Sequence, residues 1–356
     1  MFVFDAHLDL SMNALEWNRD LTQPLENIRQ REIHKTDKPD RGLGTVSFEE
    51  MRRGNIGICV ATQIARYVKP ENPLSGWNSQ AQAWAQTQGQ LAWYKVMEDA
   101  GELIQIRTAA ELTVQLNKWQ NKTANEKLPI GYVLSLEGAD SIVDLSYLDK
   151  AHANGLRALG PAHYGPGEYA FGTDSTGKFP QKGLDLLDEM DELNMILDVT
   201  HLSDDCMEQA FSRYKGPIWA SHHLTRAITP HNRQIPDHFI SEIIDRNGFI
   251  GMAFDAWMIV PNWKRGKSTP QNMNLTIDSV IDHLDHVCQL AGNANHVGIG
   301  SDLDGGFGRE QCPSDVETIA DLQKIPALLQ KRGYTETDIE NIMWRNGISF
   351  LERALP

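Results

Sequence analysis

The 356-residue chain is 41% hydrophobic and 23% charged, an ordinary composition for a water-soluble globular protein. Its 33 Lys+Arg against 48 Asp+Glu leave a net charge of −15, which argues against nucleic acid and anionic membrane as partners, because phosphate binding needs concentrated cations. No apolar run approaches the roughly 20 residues needed to span a bilayer, MFVFDAHLDL lacks the features of a signal peptide, and the charged ISFLERALP end does not suit a lipid anchor, so the expected location is the cytoplasm.

Short apolar, β-branched runs recur along the chain, each followed by a helical stretch. In chain order the predicted strands are Phe2–Ala6, Ile56–Thr62, Gly131–Leu136, Leu156–Gly160, Met195–Thr200, Pro217–Ser221, Phe249–Phe254 and His296–Ser301. Near-continuous apolar runs suit strands buried on both faces. Predicted helices lie between them: Gln80–Ala100, with Trp84, Leu91, Tyr94 and Val96 at roughly helical spacing, then Leu184–Leu193, Asp204–Phe211, Phe239–Arg246, Ile277–Leu290 and Val316–Gln330. Alternating strands and helices imply a parallel sheet. Eight such units imply an α/β fold closed as one (β/α)8 TIM-type barrel over residues 1–356, with a last helix, Glu336–Leu355, packed outside the ring.

Cys59, Cys206, Cys288 and Cys312 are widely spaced without a CxxC, which argues against a disulfide framework or a structural zinc knuckle. Two segments interrupt the rhythm: Asn18–Gly44, polar with Pro24 and Pro39, and Tyr164–Pro180, rich in Gly and Pro. Both follow predicted strand ends. Each reads either as a cover over a site or as surface loop.

His, Asp and Glu concentrate just after the predicted strands, and in such a barrel the strand exits meet at one face. His7 and Asp9, in Asp5-Ala6-His7-Leu8-Asp9, are two apart, so in extended chain they share a face and reach one ion. Glu137 ends a strongly apolar strand, where a carboxylate is costly unless paired or metal-bound. A salt bridge is the plainer reading of Glu137 taken alone. His201 ends MILDVTH and His222-His223 end PIWASHH; the two neighbours point oppositely, and which of them faces the site stays open. Histidines with carboxylates suit Zn2+, with Mn2+, Fe2+ and Co2+ as competitors. In Gly300-Ser301-Asp302-Leu303-Asp304-Gly305-Gly306, Asp302 stands where a general base would be needed, and Asp304-Gly305-Gly306 reads as an Asx-Gly turn.

Together, H-x-D near the N-terminus, E-G after a middle strand, His201 and His222 at strand ends 21 residues apart, and G-S-D-x-D-G late in the chain resemble the renal (membrane) dipeptidase family of the amidohydrolase-like barrels. The matches run in order from Asp5 to Gly305. The resemblance implies two divalent metal ions, Zn2+ first among them, with His7 and Asp9 on one, His201 and His222 on the other, and Glu137 bridging. It implies Asp302 as catalytic acid/base, His163 as the group that assists the tetrahedral intermediate, and Arg233, in Asn232-Arg233-Gln234, as the holder of the substrate's terminal carboxylate. It further implies a dipeptide substrate, tolerance of a D-residue at the C-terminal position, β-lactam hydrolysis and a homodimer.

Three departures stand out: DAHLDLS in place of a DGHND-like run, Gly-Ala-Asp rather than Gly-Gly-His after Glu137, and Ala253-Phe254-Asp255-Ala256-Trp257 in place of an Asn-Phe-Tyr-like run. None removes an expected ligand, but the last two alter the expected pocket walls. Hydrolysis of another small amide, a lactone or an N-acyl amino acid is the alternative within enzymes, because fold does not set substrate. A non-catalytic metal-binding protein on the same barrel is the alternative outside them.

Overall fold

The computed structural model describes residues 1–70, 75–123 and 126–356. Among these residues nine parallel strands form one sheet: β1 Val3–Leu8, β2 Ile56–Ile64, β3 Leu103–Gln105, β4 Ile130–Glu137, β5 Leu156–Gly160, β6 Ile196–Asp198, β7 Ile218–His223, β8 Phe249–Met252 and β9 Val297–Ile299. Eight of them close a ring. β1 pairs with both β2 and β9, and β2 pairs directly with β4, skipping β3. β3 adds to the N-terminal end of β4, with Leu103 opposite Ile130, along the edge that β2 leaves free. The expected (β/α)8 barrel is therefore present, with one extra strand that sequence reading did not anticipate.

Residues of β1, β4 and β7 are buried throughout, as a ring lined inside and covered outside by helices requires. Helix starts follow local chemistry. Ser79, Thr108 and Ser203 each accept a backbone N–H of the first turn at Gln80–Asp99, Ala109–Gln120 and Asp204–Arg213. Where Gly300 of the β9 exit passes the Ser221 carbonyl, an added Cβ would lie 1.8 Å from that oxygen, so only glycine fits there.

The predicted last helix runs as Glu336–Glu340, a π turn at Asn341–Arg345, and Asn346–Ala354. It packs on the ring through Phe350, whose ring stacks on Trp219 of β7 at 5.3 Å. Burying such an aromatic contributes about 1.5–3 kcal/mol. Val316–Gln330 is split into a 3-10 segment, Ile319–Lys324, and a helix, Ile325–Lys331.

Asn18–Gly44 is not plain surface loop. It contains the helix Leu25–Glu32, and Leu21, Leu25 and Ile28 are buried. The four cysteines are free thiols. Among the described residues, no helix is long and apolar enough to cross a membrane.

Candidate active site

The C-terminal strand ends bring together every residue proposed to bind metal. His7 lies in β1 and Asp9 just beyond it; Glu137 ends β4; His201 follows β6; His222 lies in β7; Asp302 follows β9. His7 Nε2 is 3.7 Å from Asp9 Oδ1, 3.8 Å from Glu137 Oε1 and 3.9 Å from Asp302 Oδ1. Glu137 Oε1 lies 3.1 Å from His201 Nε2, 3.5 Å from His222 Nε2 and 3.8 Å from His163 Nε2. His201 and His222 face each other Nε2 to Nε2 at 3.1 Å.

Three overlapping triads, His7–Asp9–Glu137, Glu137–His201–His222 and His7–His222–Asp302, each offer ligand atoms within 4.8 Å of one another. Glu137 belongs to two of them. His7 Nε2 is buried and makes no hydrogen bond. An unpartnered imidazole nitrogen facing carboxylates suits a cation held between them.

Electrostatics point the same way. Burial pushes the Glu137 carboxyl well above its ordinary range, and the charge of Asp9 adds to this. Burial does the same to Asp302, with Asp9 and Glu137 contributing, and raises Asp9 to about 6. Burial holds His201 and His222 well below the ordinary imidazole value, and His7 at about 3. Neutral imidazoles are the ligating form, and crowded carboxylates repel until a cation lies between them.

A second layer aims these groups, and sequence reading missed it. Ser221 Oγ lies 2.9 Å from His222 Nδ1 and 3.4 Å from His7 Nδ1, so one hydroxyl orients two rings with Nε2 toward Glu137. Thr62 donates its hydroxyl to Asp9. Asp5 accepts the backbone N–H of His7 at 3.2 Å and of Ser301 at 2.8 Å. Asp198 repeats the device, accepting from Thr200 at 3.0 Å and from Ser221 at 3.1 Å. In both cases an Asp on one strand fixes a Ser across the barrel wall, and the residue after that Ser is Asp302 or His222. The recurrence of Asp near strand ends, with Ser-His and Ser-Asp at later ones, was the available signal.

Two site residues hold left-handed backbone, His201 at φ 68° and Asp302 at φ 57°. Such conformations concentrate where function over-determines the chain. Beside Asp302, Gly305 has no room for a side chain: a Cβ there would lie 1.9 Å from Asp302 Oδ1. Asp304 also does more than turn the chain. Fully buried, it accepts N–H groups from Thr45 and Val46 at 2.7 and 3.0 Å.

Of the histidine pair after β7, His222 joins the cluster. His223 turns away, with Nδ1 3.5 Å from Arg233 Nη1. Arg233 is buried and donates from Nη2 to the His222 carbonyl at 2.9 Å. It therefore lies against the cluster but outside the lining of the open cavity.

That cavity, of about 590 Å³, is lined by Asp9, Glu137, His201 and Asp302 at its base and by His163 and Tyr164 beside them. Its volume suits a small ligand. Both interrupting segments reach it, the first through Lys38 and the second through Tyr164. Asp255, at one of the departures from the family pattern, also faces it and is held at about 6 by burial. A second cavity of about 580 Å³ lies against β3, remote from these groups.

The family model described as "Membrane dipeptidase (Peptidase family M19)" matches residues 1–354. Dipeptidase tcpJ of Claviceps purpurea is 31% identical over 236 residues, 63% of this chain and 52% of that protein. An uncharacterised dipeptidase of Schizosaccharomyces pombe is 29% identical over 175 residues, 48% of this chain and 40% of that protein. The aligned part thus spans about half the length of these two relatives. An uncharacterised Klebsiella pneumoniae protein from the pqqA 5′ region is 24% identical over 69% of this chain and 90% of its own length. Among solved structures, a metallopeptidase from Rhodobacter sphaeroides, liganded with a phosphinate mimic of L-Ala-D-Ala, is 22% identical with a TM-score of 0.78 over 99% of each chain. Another, a dipeptidase of family M19, gives 23% and 0.79 over 99% of this chain and 98% of its own. These likenesses establish a shared fold.

Proposed function

Because this chain belongs to the membrane dipeptidase family, peptidase family M19, we propose that it hydrolyses dipeptides with two divalent ions, Zn2+ first among them. The observation that carries the reading is the convergence of His7, Asp9, Glu137, His201 and His222 beneath a cavity edged by Asp302. His7 and Asp9 would hold one ion, His201 and His222 the other, and Glu137 both. Ions held there supply Lewis acidity toward the peptide carbonyl and acidify a water molecule.

The chain's own groups do the rest. Asp302 accepts the proton of the attacking water and returns it to the leaving amine. His163 faces Arg66 through Nδ1, so its proton sits on Nε2, from which it donates to the developing oxyanion. Arg233 pairs its guanidinium fork with the terminal carboxylate. Such a clamp limits substrates to very short peptides.

The position of Arg233 favours one second reading. Its guanidinium is engaged by the His222 carbonyl and does not line the cavity. A substrate without a terminal carboxylate partner there, such as a lactone or another small amide, would need the same cluster and no clamp.

The test uses protein reconstituted with Zn2+ and a panel of L-L and L-D dipeptides, N-acyl amino acids and a lactone, with Asp302→Asn as control. The L-D members are included because the family resemblance implies tolerance of a D-residue. Dipeptide turnover lost in the variant, with about two metals bound per chain, supports the reading. Turnover confined to the other substrates, with the metals bound, would replace it with the second one.

A further inference from the structure

The chain carries a net −15, yet three cations stand in the wall of the cavity. Lys38, Arg66 and Arg265 line it, against Glu16 and Asp255 among the acids not assigned to the metal cluster or to catalysis. A cation left without a partner in such a wall offers an anion a specific contact, whatever the net charge of the chain. Asp255 is already engaged, accepting from Trp257 Nε1 at 2.6 Å and from Gln311 Nε2 at 2.8 Å. The Lys38 ammonium rests over the Trp17 ring, 4.0 Å from its centre.

Arg66 is differently placed. It is partly buried, beside His163 at the reacting centre. Its Nη1 donates to the Ser75 carbonyl at 2.9 Å and its Nη2 to His163 Nδ1, while Nε is buried with no partner. A guanidinium has five N–H donors, so most of this one is unspent. Among the described residues, no carboxylate lies within ion-pairing distance of it. Asp140, Glu137 and Glu16 are near enough to feel its charge. Each has other business: Asp140 accepts the Glu168 N–H at 2.9 Å, Glu137 faces the histidines, and Glu16 meets Gln86 at 3.4 Å. A partly buried cation without a counter-charge is costly, and a carboxylate brought by the substrate would complete it.

We infer that Arg66 is a specificity-determining residue that selects dipeptides bearing a carboxylate side chain, aspartyl or glutamyl. The inference rests on the dipeptidase reading and narrows its substrate class. In that reading Arg233 takes the terminal carboxylate and Arg66 the side-chain one, and the His163 imidazole feels the charge of both.

The experiment compares kcat/KM on near-isosteric pairs, Ala-Asp with Ala-Asn, Asp-Ala with Asn-Ala and Ala-Glu with Ala-Gln, for metal-reconstituted wild type, Arg66→Gln and Arg66→Lys. Wild type is expected to favour the acidic member of at least one pair by roughly ten- to hundred-fold, the value of one charged hydrogen-bonding group. That ratio falls to near one in Arg66→Gln and is partly kept in Arg66→Lys, which has charge without the fork. A ratio cancels any general loss of rate passed through His163. No acid preference in wild type on any pair, or an unchanged ratio in Arg66→Gln, overturns the inference and leaves the dipeptidase reading standing. Should no dipeptide turn over, that reading fails separately, and calorimetric binding of free aspartate against asparagine decides: an aspartate preference lost in Arg66→Gln supports the Arg66 site, and equal binding removes it.

Discussion

Replacing Arg19 with methionine keeps an unbranched apolar stem and deletes a charge on which three acids depend. The Arg19 guanidinium is wholly buried; it donates to Glu32 through Nε at 3.0 Å and to Asp40 through Nη2 at 2.9 Å, and lies 3.5 Å from Asp304. Glu32 keeps a second cation, Arg41, at 2.6 Å. Asp40 and Asp304 keep none within ion-pairing distance among the described residues, though Trp17 Nε1 and the N–H groups of Thr45 and Val46 still donate to them. Breaking a buried pair from one side costs about 3–5 kcal/mol, and the retained hydrogen bonds place this case near the middle, about 4 kcal/mol. In a chain of this size that lowers Tm by roughly 5–10 °C. Urea unfolding followed by tryptophan fluorescence, beside scanning calorimetry, measures it. Adding Asp40→Asn to Arg19→Met should restore part of the loss by removing one stranded charge. A loss under about 1 kcal/mol, the worth of an exposed pair, would refute the claim that this cluster is dry and tightly coupled.

Asp140 gives a pH-dependent case: burial raises its pKa from 3.8 to about 6, against the opposing pull of the Glu168 N–H and Arg66. A carboxyl raised on folding destabilises only when ionised, so its cost is absent below about pH 4, grows between 4 and 6, and is complete above, reaching about 3 kcal/mol. In metal-free protein Asp140→Asn should therefore be more stable than wild type at pH 8 and equal to it near pH 4; denaturation at the two pH values reads the difference. Gly305→Ala would force Asp302 from its place, since the new Cβ would fall 1.9 Å from Oδ1, and kcat should drop tenfold or more with metal content unchanged by elemental analysis. Adding Zn2+ to chelator-treated protein should raise Tm, because a ligand at a thousand times its Kd stabilises by about 4 kcal/mol; an unmoved Tm would remove the metal from the cluster.

Much of the site was legible because its chemistry is encoded locally. His7 and Asp9 sit two apart on one strand, Glu137 interrupts a fully apolar run, and His201, His222 and Asp302 each mark a strand exit. Strand period and burial are local properties, so eight apolar runs separated by helical stretches were enough to call for the ring. β3 escaped because a three-residue strand, LIQ, shows too little period to register. Leu25–Glu32 escaped because LENIRQRE is mostly polar, and only Leu25, Ile28 and Glu32 turn inward.

What no local pattern encodes is which group meets which across the barrel. Asp5 fixes Ser301, 296 residues away, and Asp304 holds Thr45 and Arg19 from the far end of the chain. The choice between His222 and His223 is one of strand register, and only the closed ring aims the first at Glu137 and the second at Arg233. Arg66 drew no attention in the sequence, because its meaning lies in the His163 it touches and in the lack, among the described residues, of a carboxylate paired with it. Residue type and spacing determined the chemistry available; parallel pairing around a closed barrel decided where each group points, because that pairing joins positions hundreds of residues apart through hydrogen bonds whose partners exist only once the ring has closed.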